Sequence, residues 1–286
     1  MLEYKNKILN RGRYIIMEMH GALAEKKLFI FDMDGTVYLG EKAFDGAIDF
    51  IKNLRAAGRK ILFFTNNASN IPEFYLSRLS RMGFEPTRDE IMTSADVTIL
   101  YLNRFRQGKR VYLVGTDELR RQFAAGGIPL IGDDAESADI VITSFDLTLT
   151  YRKLERACTF IRGGAEYFST HPDFNCPTEN GFIPDSGAIS AFVTAATGVK
   201  PVYFGKPYSQ TVDMICEKTG FSKEQMCVFG DRLYTDIAMG KRHGITSVLV
   251  LSGETCKEDA DSAAECDRPD FVFPSLGDVN IYSFGS

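Results

Sequence analysis

No apolar run in this chain approaches the ~18 residues that a membrane-crossing helix requires. A membrane partner is therefore not expected. Residues Met1 to Gly21 mix Lys, Arg, Asn and Tyr without the apolar centre of a signal peptide. They read as part of an N-terminal extension over residues 1–26, within which Met17 is a second candidate for the native start. No basic cluster stands out, and 33 Lys and Arg against 38 Asp and Glu leave a net charge of −5. That balance argues against a nucleic-acid partner. The six cysteines (Cys158, Cys176, Cys216, Cys227, Cys256 and Cys266) contain no CxxC pair, and the three histidines form no paired cluster. This spacing disfavours zinc and fits reduced thiols in a cytoplasmic protein. Internal repeats and low-complexity tracts are also missing.

What the chain does contain is alternation. Its 286 residues suit one large or two medium domains, and 44% hydrophobic content supports a sizeable core. Leu28–Phe31 reads as a strand. Ala47, Ile51 and Leu54 then keep helical spacing, with Gly58 as a stop. A strand over Ile61–Phe64 precedes a helix starting near Asn70–Pro72, where Glu73 stands in the position of a capping partner for Asn70. Val111–Val114 and Ile140–Ile142 are further strands, and Leu154, Ala157, Cys158 and Ile161 form a helix stripe. Val202–Phe204, Met226–Phe229, Ser247–Leu251 and Phe271–Phe273 complete the pattern, with helical stretches between the first three. Such alternation predicts an α/β fold with a largely parallel sheet.

In an open α/β sheet the ligand crevice lies beyond the carboxyl ends of the strands. Asp32 and Asp34 fall at one such end, and Thr65, Asn66 and Asn67 at a second. Gly205-Lys206-Pro207 and Gly230-Asp231 occupy two more. Side chains at i and i+2 of a strand point the same way, with Cα atoms ~7 Å apart. One small ligand group can therefore touch both Asp32 and Asp34. Such a pair suits one Asp that attacks or binds metal and another that handles a proton.

Four segments, in order, carry a family resemblance. Phe31-Asp32-Met33-Asp34-Gly35-Thr36, Phe64-Thr65-Asn66-Asn67, Gly205-Lys206-Pro207 and Gly230-Asp231-Arg232-Leu233-Tyr234-Thr235-Asp236 resemble the motifs of the haloacid dehalogenase (HAD) superfamily. The long stretch between the second and third motifs resembles subfamily IIA, the NagD-like and p-nitrophenyl-phosphatase-like phosphatases. Thr170-His171-Pro172-Asp173 is similar to that subfamily's Thr-Asn-x-Asp pattern, with His171 in place of Asn. The resemblance spans Lys27 to Val279. It implies a Rossmann-like core over 27–104 and 201–286, with an α/β cap inserted over 105–200.

The resemblance also implies roles. Asp32 would attack phosphorus and form an aspartyl-phosphate. Asp34 would be the general acid and base, its protonated form favoured by nearby negative charge. Asp32, Asp231 and the backbone carbonyl of Asp34 would hold Mg2+ through oxygen, with Asp236 behind them. Thr65 and the amides of Asn66 and Asn67 would bind a phosphoryl oxygen at an amide-rich turn. Lys206 would neutralise phosphoryl charge and orient Asp32. Gly35 would permit a turn closed to other residues, and Thr36 would be structural. In the cap, His171 and Asp173 would bind substrate, with Asn175 and Glu179 beside them. His20 and His243 match no motif and are assigned surface or packing roles. The implied activity is magnesium-dependent hydrolysis of small organic phosphate monoesters, such as a sugar phosphate or nucleoside monophosphate. The implied assembly is a homodimer paired through the caps. A dehalogenase is a rival reading, opposed by Asp34, since displacing halide needs no proton donor. A regulatory protein that binds phosphometabolites without turnover is the non-enzymatic rival.

Overall fold

The computed structural model describes residues 22–178 and 181–279. Met17, His20, Glu179 and most of the expected extension lie outside them. The strands are β1 (Leu28–Phe31), β2 (Tyr38–Leu39), β3 (Lys42–Ala43), β4 (Lys60–Thr65), β5 (Ile91–Thr93), β6 (Val111–Val114) and β7 (Ile140–Thr143). They continue as β8 (Glu166–Ser169), β9 (Asn175–Thr178), β10 (Gly181–Pro184), β11 (Val202–Tyr203), β12 (Met226–Gly230), β13 (Thr246–Val250) and β14 (Phe271–Phe273). Helices separate most of them, so the fold is α/β. Among the described residues, which include all six cysteines, there is no disulfide. No described helix is long and apolar enough to cross a membrane.

The chain divides into two compact units. The first draws on Met1–Phe63, Arg78–Pro86 and Thr219–Ser286, and the second on Phe64–Ser77 and Thr87–Lys218. These bounds are not those of the expected core and cap. The helix Ser94–Phe105 belongs with the second unit for a visible reason. Its Asp96 accepts from Gln122 at 2.9 Å, its Asn103 donates to the Gly126 carbonyl at 2.9 Å, and its Tyr101 packs edge-on against Phe168 and Phe204.

In the first unit β1 lies between β12 and β4, and β13 and β14 continue beyond β12, every neighbour parallel. Parallel strands covered on both faces read as unbroken apolar runs, and all four residues of β1 are buried. Aromatic rings fill the layer beneath the helix Ala47–Ala56. Phe31 stacks on Phe229 at 4.9 Å between centroids and meets Phe50 edge-on at 6.0 Å. The register sets Phe31 opposite Phe229, and the Asp32 amide donates to the Phe229 carbonyl at 2.9 Å. Asp32 and Asp231 therefore emerge from one edge of one sheet. Residues at the end of the expected extension pack here as well. Leu23 is buried, Arg59 donates to the Ala24 carbonyl at 2.7 Å, and Lys26 donates to the Glu224 carbonyl at 2.8 Å.

The second unit holds a four-stranded parallel sheet in the order β11-β8-β7-β6, and an antiparallel pair of β9 with β10. Its core is built from Tyr112, Val114 and Val141 against the helices Tyr151–Arg162 and Ser186–Thr197. Glu73, expected to reach back to Asn70, instead pairs with Arg88 at 3.2 Å. The β8–β11 pairing places Tyr203 opposite Ser169. His171 and Lys206, two or three residues further on, leave neighbouring strand ends.

The Phe31 ring stands at the centre of the first unit's aromatic layer. Phe31→Ala is expected to lower the unfolding free energy by ~3–5 kcal/mol, measured by urea titration with a probe in this unit.

Candidate active site

The first and fourth motifs meet within the first unit. Carboxylate oxygens of Asp32, Asp231 and Asp236 all lie within 4.8 Å of one another. Their placement follows from the backbone around them. Gly35 has φ +86, and a Cβ there would strike the Asp231 carboxylate. A Cβ on Gly230 would strike the Asp236 side chain, so the bare glycine lets that carboxylate fold under the strand end. A π-helical turn over Leu233–Ile237 buries Thr235, Asp236 and Ile237 together, a local widening of the kind often found at functional sites. Thr235 donates to Asp236 at 3.1 Å.

Asp231 is fixed from three directions. The Glu254 amide donates to its Oδ2 at 2.7 Å, Thr36 donates to its Oδ1 at 3.4 Å, and the Thr255 amide donates to its carbonyl at 3.2 Å. Asp34 Oδ2 accepts from the Tyr38 hydroxyl at 3.3 Å. Ser252 donates to the Gly35 carbonyl at 2.8 Å, tying the loop after β13 to the turn after β1. Arg232 pairs with Glu254 at 2.8 Å. Burial works against its charge, but the negative charges of Asp32 and Asp231 outweigh that, and Arg232 titrates above the usual arginine range.

Three ionised carboxylates at this spacing repel one another strongly away from bulk water. A hard cation with oxygen ligands relieves that repulsion. The residues fit such an ion. The donors are all oxygen, and the cradle is kept open by glycine, since a Cβ on Gly253 would run into the Asp231 carboxylate. Asp236, expected behind the ligands, has a carboxylate inside the cluster itself.

The second and third motifs meet within the second unit. Asn66 clamps the backbone of Lys206 like a paired strand. Its Oδ1 accepts from the Lys206 amide at 2.7 Å, and its Nδ2 donates to the Lys206 carbonyl at 3.1 Å. The same Nδ2 reaches Asp173 at 3.2 Å. Gly205 takes φ +77, and a Cβ there would collide with Asn66 Oδ1 and with His171 Cβ. Thr65 Oγ1 accepts from the Asn67 amide at 3.1 Å, and Asn67 Oδ1 accepts from the Ser69 amide at 2.9 Å. These bonds make a tight turn of the Thr65–Asn67 segment. Lys206 is buried apart from 2% of its surface, with Nζ 5.5 Å from the Phe64 ring centroid.

His171 departs from expectation. It is wholly buried, and both ring nitrogens are engaged, with Asp185 at 2.8 Å and Thr170 at 3.0 Å. Neither is left to meet a substrate in this arrangement. Burial alone would lower its pKa, but the charge and hydrogen bond of Asp185, with the charge of Asp173, hold it above the ordinary histidine value.

The loop Ser252–Glu254 and Asp185 were not among the expected residues. The first had a signal, since Ser252-Gly253 follows an apolar run as the other motif residues do. Asp185 had none, because its partner lies 14 positions away.

Two family models match the chain, haloacid dehalogenase-like hydrolase over residues 29–129 and HAD-like hydrolase over residues 203–279. An acid sugar phosphatase of Staphylococcus saprophyticus is 34% identical over 253 residues, covering 88% of this chain and 96% of its own. A 4-nitrophenylphosphatase from Thermotoga maritima superposes with a TM-score of 0.85 at 42% identity, covering 90% of this chain and 97% of that one. A glycerol phosphate phosphatase from Mycobacterium tuberculosis, crystallised in complex with magnesium, superposes at 0.82 with 30% identity, covering 92% and 77%.

The cradle around Asp231 yields a test. Gly253→Ala is expected to displace the carboxylate and reduce turnover by roughly 10²-fold, with a smaller thermal shift on adding a divalent cation than the unsubstituted protein shows. The paired readout is a melting curve with and without the ion.

Proposed function

Because the chain belongs to the haloacid dehalogenase-like hydrolases and is a phosphoric monoester phosphatase, we propose that it depends on magnesium and acts on small organic phosphates through an aspartyl-phosphate at Asp32. The observation that supports this best is the cluster of Asp32, Asp231 and Asp236 at the end of β1 and β12. Asp32, Asp231 and the Asp34 carbonyl, with Asp236 beside them, would hold magnesium, which would supply positive charge against which an anionic nucleophile can approach a phosphate dianion.

The chain's own residues carry the steps. Asp32 forms the new oxygen–phosphorus bond as the ester oxygen departs. Asp34, restrained by Tyr38, gives its proton to that oxygen. It then takes a proton from the water that attacks phosphorus, which releases inorganic phosphate and restores Asp32. Thr65, the amides of the Asn66–Asn67 turn and Lys206 hold the phosphoryl oxygens, a task of positioning and charge rather than bond making. The division into a core of 27–104 and 201–286 and a cap of 105–200 is part of the same proposal, with the cap choosing the leaving group.

The names of the relatives point to sugar phosphate, 4-nitrophenyl phosphate and glycerol phosphate as acted upon by those proteins. Compact monoesters of that kind are the substrates proposed here. The complete motif set weighs against the non-catalytic reading, and Asp34 weighs against halide displacement.

A panel of phosphate esters, assayed with magnesium and again with excess chelator, tests the proposal. Phosphate release that chelator abolishes and magnesium restores is expected, whereas undiminished release under chelation would contradict it. Asp32→Asn is expected to cut turnover by at least about 10³-fold while its melting curve still shows a cooperative transition.

A further inference from the structure

The most complete structure outside the acidic cluster is the group around His171. The imidazole is buried between the end of β8 and the start of the helix Ser186–Thr197. Its hydrogen-bond partners point to where its protons are. The Thr170 hydroxyl donates to Ser144 at 2.9 Å, so the Thr170 oxygen is left to accept from His171 Nδ1 at 3.0 Å. The other nitrogen faces Asp185 Oδ1, a carboxylate oxygen that also accepts from the Ser186 amide. Both neighbours are acceptors, so both ring nitrogens carry hydrogen. A neutral tautomer would leave one of them facing an acceptor without a proton.

The location matters as much as the charge. His171 and Asp185 bracket the β9–β10 hairpin, and their bond closes its base. The Asp185 amide donates to the Phe174 carbonyl at 2.9 Å, and the Gly187 amide donates to the Asp173 carbonyl at 2.8 Å. Only a bare glycine fits at position 187, since a Cβ there would strike the Pro172 and Asp173 carbonyls. Asp173 in turn holds Asn66, which clamps Lys206. His171 Cβ also lies where a Cβ on Gly205 would collide with it.

We propose that His171 is a positioning residue: as an imidazolium latched to Asp185, it fixes Asp173 and through it the Asn66–Lys206 clamp that sets the phosphate-binding turn. Having His where the subfamily pattern has Asn thus brings a buried ion pair where a neutral amide would serve. The direction of the histidine's titration agrees, since Asp185 and Asp173 hold its pKa above the ordinary histidine value despite burial. The functional half rests on the phosphate-binding role proposed for Lys206 and Thr65. The protonation half does not.

Two measurements test it. Nitrogen-15 histidine spectra at pH 7.5 read the ring directly, and the signals missing from the His171→Asn spectrum identify His171 among the three histidines. Two protonated nitrogens are expected, and a neutral tautomer would overturn the proposal without any reference to activity. Inhibition by inorganic phosphate reads the clamp. His171→Leu and Asp173→Asn are each expected to weaken it roughly tenfold, with no further loss in the double variant. His171→Asn, which keeps one donor for Asp185, should return to within about twofold of the unsubstituted enzyme. Effects that multiply in the double variant, or a folded His171→Leu with unchanged phosphate inhibition, would refute the positioning role. Failure of the unsubstituted enzyme to bind phosphate would instead count against the functional reading.

Discussion

Mutual repulsion among Asp32, Asp231 and Asp236 is the constraint around which the first unit is organised. Their oxygens are drawn within 4.8 Å of one another by parts of the chain about 200 positions apart. Ionised carboxylates this close repel one another. They are held in place by the register of β1 against β12, by the glycines that admit them and by the loop from Ser252 to Thr255. The aromatic layer below supplies the stiffness. Phe31 and Phe229, the last ring-bearing residues before the two carboxylates, stack directly.

The second unit solves a different problem with similar means. It too is a parallel sheet whose strand ends carry the polar residues. There the arrangement is built from amides, hydroxyls, Asp173, the buried Lys206 and one buried histidine–carboxylate pair. Asn66 is central because one planar amide accepts from and donates to the same residue, Lys206, while also touching Asp173. Hydrogen-bonded throughout, such a network is rigid rather than costly.

How much of this could be read from the chain varies by element. β1, β4, β6 and β12 were legible because a short, continuous apolar run bounded by polar turns fits a buried strand well. Asp32, Asp34 and Asp231 were legible because carboxylates at the ends of such runs are conspicuous. The β9–β10 pair was not, since Asn175 and Pro184 are poor strand signals. The π turn was invisible because apolar spacing does not distinguish it from an ordinary helical turn. That turn is also what carries Asp236 into the cluster rather than behind it. His171 was picked out by its motif but assigned to substrate, because the position of Asp185 depends on a hairpin that the pattern did not reveal. The apolar pattern alone does not assign helix Ser94–Phe105 to either unit. Helix Ser94–Phe105 is amphipathic in either setting, and its partners Gln122 and Gly126 become apparent once the chain is folded.

The central claim is that Asp32 becomes phosphorylated during turnover. Reduction of the working enzyme with borohydride converts an acyl phosphate to an alcohol, and peptide mass spectrometry then locates it. The account predicts homoserine at position 32 when substrate and magnesium are both present, and unmodified aspartate when either is withheld. Rapid phosphate release with position 32 unchanged, or reduction confined to another carboxylate, would contradict it.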